Sequence, residues 1–353
     1  MTSLSLAAGL VCPVPAAPPE RIQLGHGSGG KLSAALLRDR FLPHLANPIL
    51  QQLGDAAVLP VFGGRVAMST DTFVVNPVEF PGGNIGSLAV HGTLNDIAMM
   101  GATPRFLSAG FVIEEGLEFE LLDRVIAAMA GAAREAGVPL VTGDTKVVER
   151  GKADRLYINT TGIGTLDGAL RPAPDRAASG DAVLVSGPIG RHGLAIMAAR
   201  ENLGFDAEIE SDSATLYPLV ARLGDQLGAE VHVLRDPTRG GVASALNEIA
   251  AASRVGIVLD ESAVPIPGPV AAACEMLGLD PLYVANEGVM LVILPEPHAD
   301  SALALLRGHA LGTDAVRLGR VVPDHPGMVI MRTAVGGSRV VDMLPGDQLP
   351  RIC

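Results

Sequence analysis

The chain has 353 residues, of which 48% are apolar and 18% charged, and a net charge of −12. That length suits two domains of ordinary size, and the apolar share excludes a disordered chain. Tryptophan is absent and aromatics reach only 3%, which with the acidic balance argues against base stacking and phosphate-backbone binding.

Met1 to Pro19 is apolar and proline-rich but lacks the basic start and sustained apolar run of a signal peptide. Residues 1–20 are therefore expected to form a loose leader. Ala57 to Val61 and Arg65 to Ser69 read as short strands split by a turn at Gly63-Gly64. Asn84 to Met100 carries apolar residues at helical spacing (Ile85, Leu88, Ala89, Ile97, Met100), with Gly101 as its stop. Arg105 to Ile113 predicts a strand, Leu117 to Ala136 a helix, and Tyr157 to Thr165 a further strand. A polar, proline-containing patch over Arg171 to Gly180 predicts a linker. The pattern restarts with a strand at Ala182 to Ser186 and a helix at Gly193 to Glu201. A glycine-opened helix covers Val242 to Ala252, with strands at Gly256 to Leu259, Val289 to Leu294 and Val316 to Val322. The expectation is an α+β, or mixed α/β, pair of domains over 21–170 and 171–336, with a mobile tail over 337–353.

No stretch offers about 18 uninterrupted apolar residues, so no membrane span is expected. Cys12, Cys274 and Cys353 make no disulfide framework and fit a reducing, cytoplasmic compartment. Cys274 sits in the apolar run Val270 to Leu277 and reads as a core residue. Cys12 lies in the leader with no visible partner.

The sequence stops on a thiol. Prolines and a glycine precede it in the tail that ends Leu349-Pro350-Arg351-Ile352-Cys353, so Cys353 is expected to ride a pliable tether and carry a covalent group between sites. Four aspartates stand at predicted strand ends, turns or a helix: Asp55 after Gly54, Asp71 after Ser69-Thr70, Asp96 beside Asn95, and Asp144 after Gly143. Such aspartates can converge on Mg²⁺, which takes oxygen ligands and shares them with phosphates. Each alone also reads as a turn or cap residue. His26-Gly27-Ser28-Gly29-Gly30-Lys31 offers backbone N–H groups and a cation to phosphate oxygens; it lacks P-loop spacing and reads equally as a flexible linker. Arg235-Asp236-Pro237-Thr238-Arg239-Gly240-Gly241 joins two cations to a helix start, as an anion site or a capped turn. Lys146 and Glu287 are isolated charges beside apolar strands, either at a surface strand end or in a site. The eight histidines show no metal-ligand spacing, so no structural zinc is expected.

These segments, in this order, resemble the hydrogenase-maturation carbamoyl dehydratase family, HypE. The matching pieces are His26 to Lys31, Gly54-Asp55, Ser69-Thr70-Asp71, Asn95-Asp96, Val141 to Lys146, Arg235 to Gly241, Asn286-Glu287-Gly288 and Pro350 to Cys353. They span nearly the whole chain after the leader. The body motifs alone resemble the wider superfamily of aminoimidazole ribonucleotide synthetase, selenophosphate synthetase and thiamine-monophosphate kinase. The terminal Pro-Arg-Ile-Cys is what singles out HypE.

The resemblance implies a two-domain aminoimidazole ribonucleotide synthetase-like fold, the first domain pairing with its counterpart in a barrel-like homodimer. It implies ATP and Mg²⁺ at Asp55, Asp71, Asp96 and Asp144, with Gly29, Gly30, Lys31, Arg235 and Arg239 near the nucleotide. The implied reaction is ATP-dependent dehydration of a carbamoyl group on Cys353, delivered by the carbamoyltransferase HypF, to a thiocyanate. The cyanide then passes to iron on the HypC–HypD scaffold, for the active site of [NiFe] hydrogenase. By the same resemblance Glu287 takes the amide proton, and Lys146 neutralises the phosphoryl group or the carbamoyl oxygen. Many superfamily relatives carry paired acids at the first metal position where this chain has Asp55-Ala56, which bears on how many ions bind. A synthetase or kinase acting on a diffusible molecule would leave the terminal thiol unexplained. A non-catalytic adaptor would make coincidences of the aspartates and the arginine-rich turn.

Overall fold

The computed structural model describes residues 30–36, 38, 57–61, 64–203, 209–344, 346, 352 and 353. The leader with Cys12, together with Gly29, Asp55 and Arg351, lies outside the described residues. A short helix α1 (Lys31–Leu36) is followed by β1 (Ala57–Val61) and β2 (Gly64–Phe73). The hairpin of β3 (Glu79–Phe80) and β4 (Gly83–Asn84) leads into helix α2 (Ile85–Met99). Asn84 caps that helix, its side chain accepting from Gly86 N and Ser87 N while Ser87 Oγ accepts from Asn84 N. Next come β5 (Thr103–Glu114), α3 (Phe119–Glu135), β6 (Leu140–Val148) and β7 (Leu156–Thr165).

Among the described residues the first sheet runs β1-β2-β7-β5-β6, antiparallel throughout except for β5 with β6. Its two faces differ, as strand alternation requires. Ala67, Ser69 and Phe73 of β2 are buried on the side covered by α2, while Met68, Thr70 and Thr72 are exposed on the open side. Gly162 and Gly164 of β7 let α2 lie close, since a Cβ at either would sit within 2.5 Å of the Ile97 side chain.

The second sheet is built from β8 (Asp181–Val185), β9 (Val233–Arg235), β10 (Gly256–Asp260), β11 (Leu291–Pro295), β12 (Val316–Val322), β13 (Val329–Arg332) and β14 (Ser338–Val341). Its order is β14-β13-β10-β12-β8-β11-β9. Between these strands the chain forms α4 (Arg191–Glu201), α5 (Tyr217–Leu227), α6 (Gly241–Ser253), α7 (Gly268–Leu277) and α8 (Ala299–Arg307). Every residue of β8 is buried because both faces are covered: Val183 and Val185 pack into one apolar cluster, Ala182 and Leu184 into another. A third cluster bridges the sheets, joining Phe73, Leu88 and Val125 to Leu194, Cys274, Val284 and the chain end, Ile352 and Cys353.

Several sequence expectations shift. Asp71 lies within β2, not after it, because pairing with β7 continues to Phe73 opposite Ile158. Asp144 and Lys146 lie inside β6, a strand hidden from periodicity by Thr142, Thr145 and Lys146 and held by parallel pairing with β5. The tail expected from residue 337 begins later, because Ser338–Val341 pairs with β13 as a strand. Residues 171–180 are irregular as expected, but they are pinned, Arg176 Nη2 donating to Ala229 O at 3.0 Å.

Asn95 fastens the two units to each other. Its Oδ1 accepts from Leu216 N at 2.7 Å, and its Nδ2 donates to Ala214 O at 3.0 Å and Glu287 O at 3.3 Å. Asn95→Ala strands a buried N–H and should cost about 2–3 kcal/mol in urea unfolding. A loss under about 0.5 kcal/mol would remove the residue from this structural role.

Candidate active site

The chain leaves the second sheet at Asp342 under restraint. Val341 O accepts from Asn247 Nδ2 at 2.8 Å, Asp342 O accepts from the Tyr283 hydroxyl at 2.8 Å, and the Asp342 carboxylate pairs with Lys31 at 2.6 Å. Its end then returns to the core between the sheets, where Ile352 is 5% exposed and Cys353 8%. Val74 N donates to the Cys353 main-chain oxygen at 3.2 Å, and His192 Nε2 lies 2.7 Å from Ile352 O.

Acidic groups crowd the same space. Glu287 is 3% exposed, and burial, reinforced by Asp236, Asp71 and Asp212, drives its pKa well above the ordinary carboxylate range against the pull of Arg239. Burial likewise raises Asp236, to about 6, and raises Asp71 and Asp212. Arg239 answers this charge: its pKa is raised first by the charge at Cys353, then by Asp71, Glu287 and Asp96. Its guanidinium lies 3.9 Å from Asp71 Oδ1.

The backbone holding Glu287 is fixed on both sides. Asn286 Oδ1 accepts from Gly190 N at 2.7 Å, and its Nδ2 donates to Pro237 O at 3.0 Å, tying the Arg235–Gly241 turn to the Glu287 loop. Asp212 accepts from the amides of Glu287 and Gly288, each at 3.2 Å. Gly288 is required here, because a Cβ would fall 1.7 Å from Asp212 O. Gly92 of α2 makes room on the other side, its Cβ position lying 2.9 Å from the Phe73 ring and 3.7 Å from Glu287 Oε2.

The expected site residues divide. Cys353, Glu287, Arg239, Asp71 and Asp96 come together, Asp96 accepting from Ser69 Oγ at 2.6 Å on the helix-covered face. Arg235 binds Glu248 at 2.8 Å at the margin, beside Asp236. Gly30 and Lys31 pack against the start of the tail, where a Cβ on Gly30 would lie 2.3 Å from Leu344 O. Lys146 is exposed and pairs with Val112 on the open side of the first sheet. Asp144 pairs in register with Gly110. No cluster of three or more His, Cys, Asp or Glu among the described residues is arranged to hold a metal ion. Cys274 is a core residue, as expected, with its thiol pushed up to about 11 by burial.

Sequence reasoning missed Asp212, Asp236 and His192 as site residues. Asp236 stood in a motif noted for its arginines. Asp212 carries only the turn signal of Ser211-Asp212-Ser213, and His192 carries none.

Residues 53–166 match the family AIR synthase related protein, N-terminal domain, and residues 178–331 match its C-terminal domain. Carbamoyl dehydratase HypE of Cupriavidus necator is 54% identical over 334 residues, covering 94% of this chain and 95% of that one. The chain belongs to the HypE family of carbamoyl dehydratases. Its Escherichia coli relative is 46% identical over 94% of this chain and 99% of its own length. A HypE crystal structure in complex with ATP matches with a TM-score of 0.80 at 52% identity, over 93% of this chain and 98% of that one. The HypE–HypF complex structure matches at 0.84 and 46% identity, over 88% and 100%. As a HypE protein the chain is an ATP-dependent enzyme of hydrogenase maturation.

The buried acid makes a stability prediction. The folded pKa of Glu287 is raised, so its stabilising contribution is complete below about pH 4.5 and is lost as pH rises through the folded value. Glu287→Gln should therefore raise stability at pH 7–8 by about 0.5–2 kcal/mol, with little change near pH 4.5. A destabilised or pH-independent variant would contradict this electrostatic account.

Proposed function

We propose that Cys353 carries the carbamoyl group and presents it to Glu287 for dehydration to a thiocyanate. The observation that carries this reading is the burial of the terminal cysteine among Glu287, Arg239, Asp71 and Asp96. Dehydration must expel the carbamoyl oxygen and two N–H protons, leaving S–C≡N. ATP supplies the phosphoryl group that lets the oxygen leave as phosphate, and Mg²⁺ offsets charge on the phosphates.

The chain's own groups do the rest. Glu287 in its ionised form, made more basic by burial, accepts one amide proton, and the second leaves on the departing phosphate. Arg239 faces the charge that builds at the chain end, and the fixed backbone of Asn286 and Asp212 holds the base in place. Asp71 and Asp96 offer hard carboxylate oxygens beside a cluster with excess negative charge, which fits Mg²⁺. Asp55 is assigned with them by family likeness, and Asp144, in the open-face register of β6 with Lys146, is assigned by the same likeness for the paired assembly. Gly29, Gly30, Lys31 and Arg235 are assigned to the nucleotide on the same ground.

The open face of the first sheet supports the expected homodimer. Met68, Ile163 and Phe106 form an exposed apolar row in register across three strands, with Phe106 50% exposed. Lys146 stands on this face, so its role toward the phosphoryl or carbamoyl oxygen is proposed for the paired assembly. HypF is proposed as carbamoyl donor from the HypE–HypF complex, and HypC–HypD as the cyanide acceptor, in the cytoplasm. The proposed domains are 21–170 and 171–336, with the carrier tail following β14. From Asp342 to Cys353 the tail has an extended reach of roughly 40 Å, enough to offer the thiol outward to a donor.

Intact mass after incubation with carbamoyl donor, HypF and Mg²⁺–ATP tests this reading. One carbamoyl adduct should form on Cys353 and lose one water only when ATP is present. Cys353→Ala should abolish the adduct, and Cys274→Ala and Cys12→Ala should retain it. An adduct mapped to Cys274, or free-metabolite turnover without an adduct, would overturn it. Separately, Asp71→Asn should weaken ATP binding about tenfold or more by calorimetry at fixed Mg²⁺. Unchanged affinity would take Asp71 out of the nucleotide site.

A further inference from the structure

His192 is fully buried at the start of α4, between the two units and against the chain end. Three contacts fix its ring. Phe80 from the β3–β4 hairpin meets it edge-on, with centroids 5.6 Å apart and planes at 90°. Ser211 Oγ lies 2.8 Å from Nδ1, and Ile352 O lies 2.7 Å from Nε2.

These contacts determine where the proton sits. A carbonyl oxygen can only accept, so Nε2 carries the hydrogen and donates to Ile352. Burial holds the ring's pKa at about 4, with the Ile352 carbonyl as a smaller opposing effect, so the imidazole is neutral and Nδ1 must accept. Ser211 is prepared to donate to it. Its Oγ already accepts from Ser213 N at 3.1 Å, and its own amide is tied to Pro81 O at 2.8 Å. The order is thus fixed: Ser213 N–H to Ser211 O–H to His192 Nδ1, and His192 Nε2–H to the chain end. A buried donor of one tautomer faces the tail.

We propose that His192 is a positioning residue that sets the register of the chain end by gripping the Ile352 carbonyl, with Ser211 holding its tautomer. The grip reads main chain, so it needs companions to select one peptide. Ile352 supplies an apolar side chain to the core, and Val74 N takes the next main-chain oxygen, that of Cys353. These three points fix the backbone of Cys353, the residue immediately after the gripped carbonyl, within electrostatic reach of Arg239. What that register serves rests on the functional reading above; the grip itself does not.

The test uses the full chain without nucleotide and measures alkylation of the Cys353 thiol by iodoacetamide, read by peptide mass. His192→Leu should speed alkylation about tenfold or more, since a buried hydrogen bond and the register are both lost. His192→Gln restores an amide donor close to the Nε2 position and should stay within about threefold of wild type, with Ser211→Ala between the two. Single-turnover water loss from Cys353 that has been fully carbamoylated beforehand should fall in the same order. A wild-type alkylation rate in His192→Leu overturns the proposal, as do equal rates in the Leu and Gln variants. Should His192→Leu fail to fold, wild-type alkylation in Ser211→Ala overturns it instead. Faster alkylation in His192→Leu, together with a wild-type protein that never dehydrates its carbamoyl group, would uphold the grip and remove the functional reading.

Discussion

Packing Ile352 and Cys353 between the two sheets brings the chain end out of water to Arg239, which also faces Asp71, Glu287 and Asp96. Removing charge from water costs several kcal/mol per ion even after relaxation, so an acid cluster of this kind persists only with compensation. Arg239 provides part of it, facing the charge at Cys353 and three carboxylates together. The rest appears as elevated carboxylate pKa values, the usual response of acids that are buried close to one another. A carboxylate poised in this way is a stronger base than one in water. On the proposed function, the cost in stability and the chemical use would have the same origin.

Such a site works only if the groups cannot relax away from each other. Besides Arg239, the structure meets that need with backbone clamps. Asn286, Asp212 and Asn95 direct their hydrogen bonds at main-chain atoms of the Glu287 loop and its neighbours. All three are polar residues whose side chains contact no reacting group, and two of them, Asn95 and Asn286, are almost fully buried. Their bonds cross between α2, the 211–216 segment and the Arg235–Gly241 turn, so the geometry at Glu287 depends on how the two units sit together. Gly288 and Gly92 complete the fit by leaving space where any side chain would collide.

Much of this was legible in the sequence, for reasons that differ by element. The helix over 84–100 was clear because its apolar spacing and glycine stop agree, and the structure adds the Asn84 cap. β6 was not, because its polar residues give no period and its strand character comes from β5 alongside. Asp71 was found but placed after a strand that in fact continues through it. Motif likeness located Glu287 and Arg239, and local physics could not have done so, since their roles arise from charges distant in sequence. His192 was invisible for the same reason: its partners are Phe80, Ser211 and Ile352, the last 160 positions away. Sequence patterns register periodicity and turns, whereas sites assembled from both domains register only in the fold.

The energetics of the docked end explain how a carrier can be both held and released. Burying an isoleucine side chain stabilises by roughly 1.5–3 kcal/mol, and each net hydrogen bond adds about 1 kcal/mol. Against this stands an ordering cost of about 1–2 kcal/mol for each tether residue that is fixed. Terms of similar size and opposite sign leave a balance that small changes can tip. A carbamoyl group on sulfur is one such change, since it brings an oxygen and two N–H protons that need partners when buried. On the function proposed above, Glu287 would accept and Arg239 would donate, so the loaded end would find inside the protein partners that a bare thiol does not use. Loss of those N–H protons on dehydration removes the reason for that match. On that reading the group that drew the tail inward would cease to hold it, and the product would leave by the same movement.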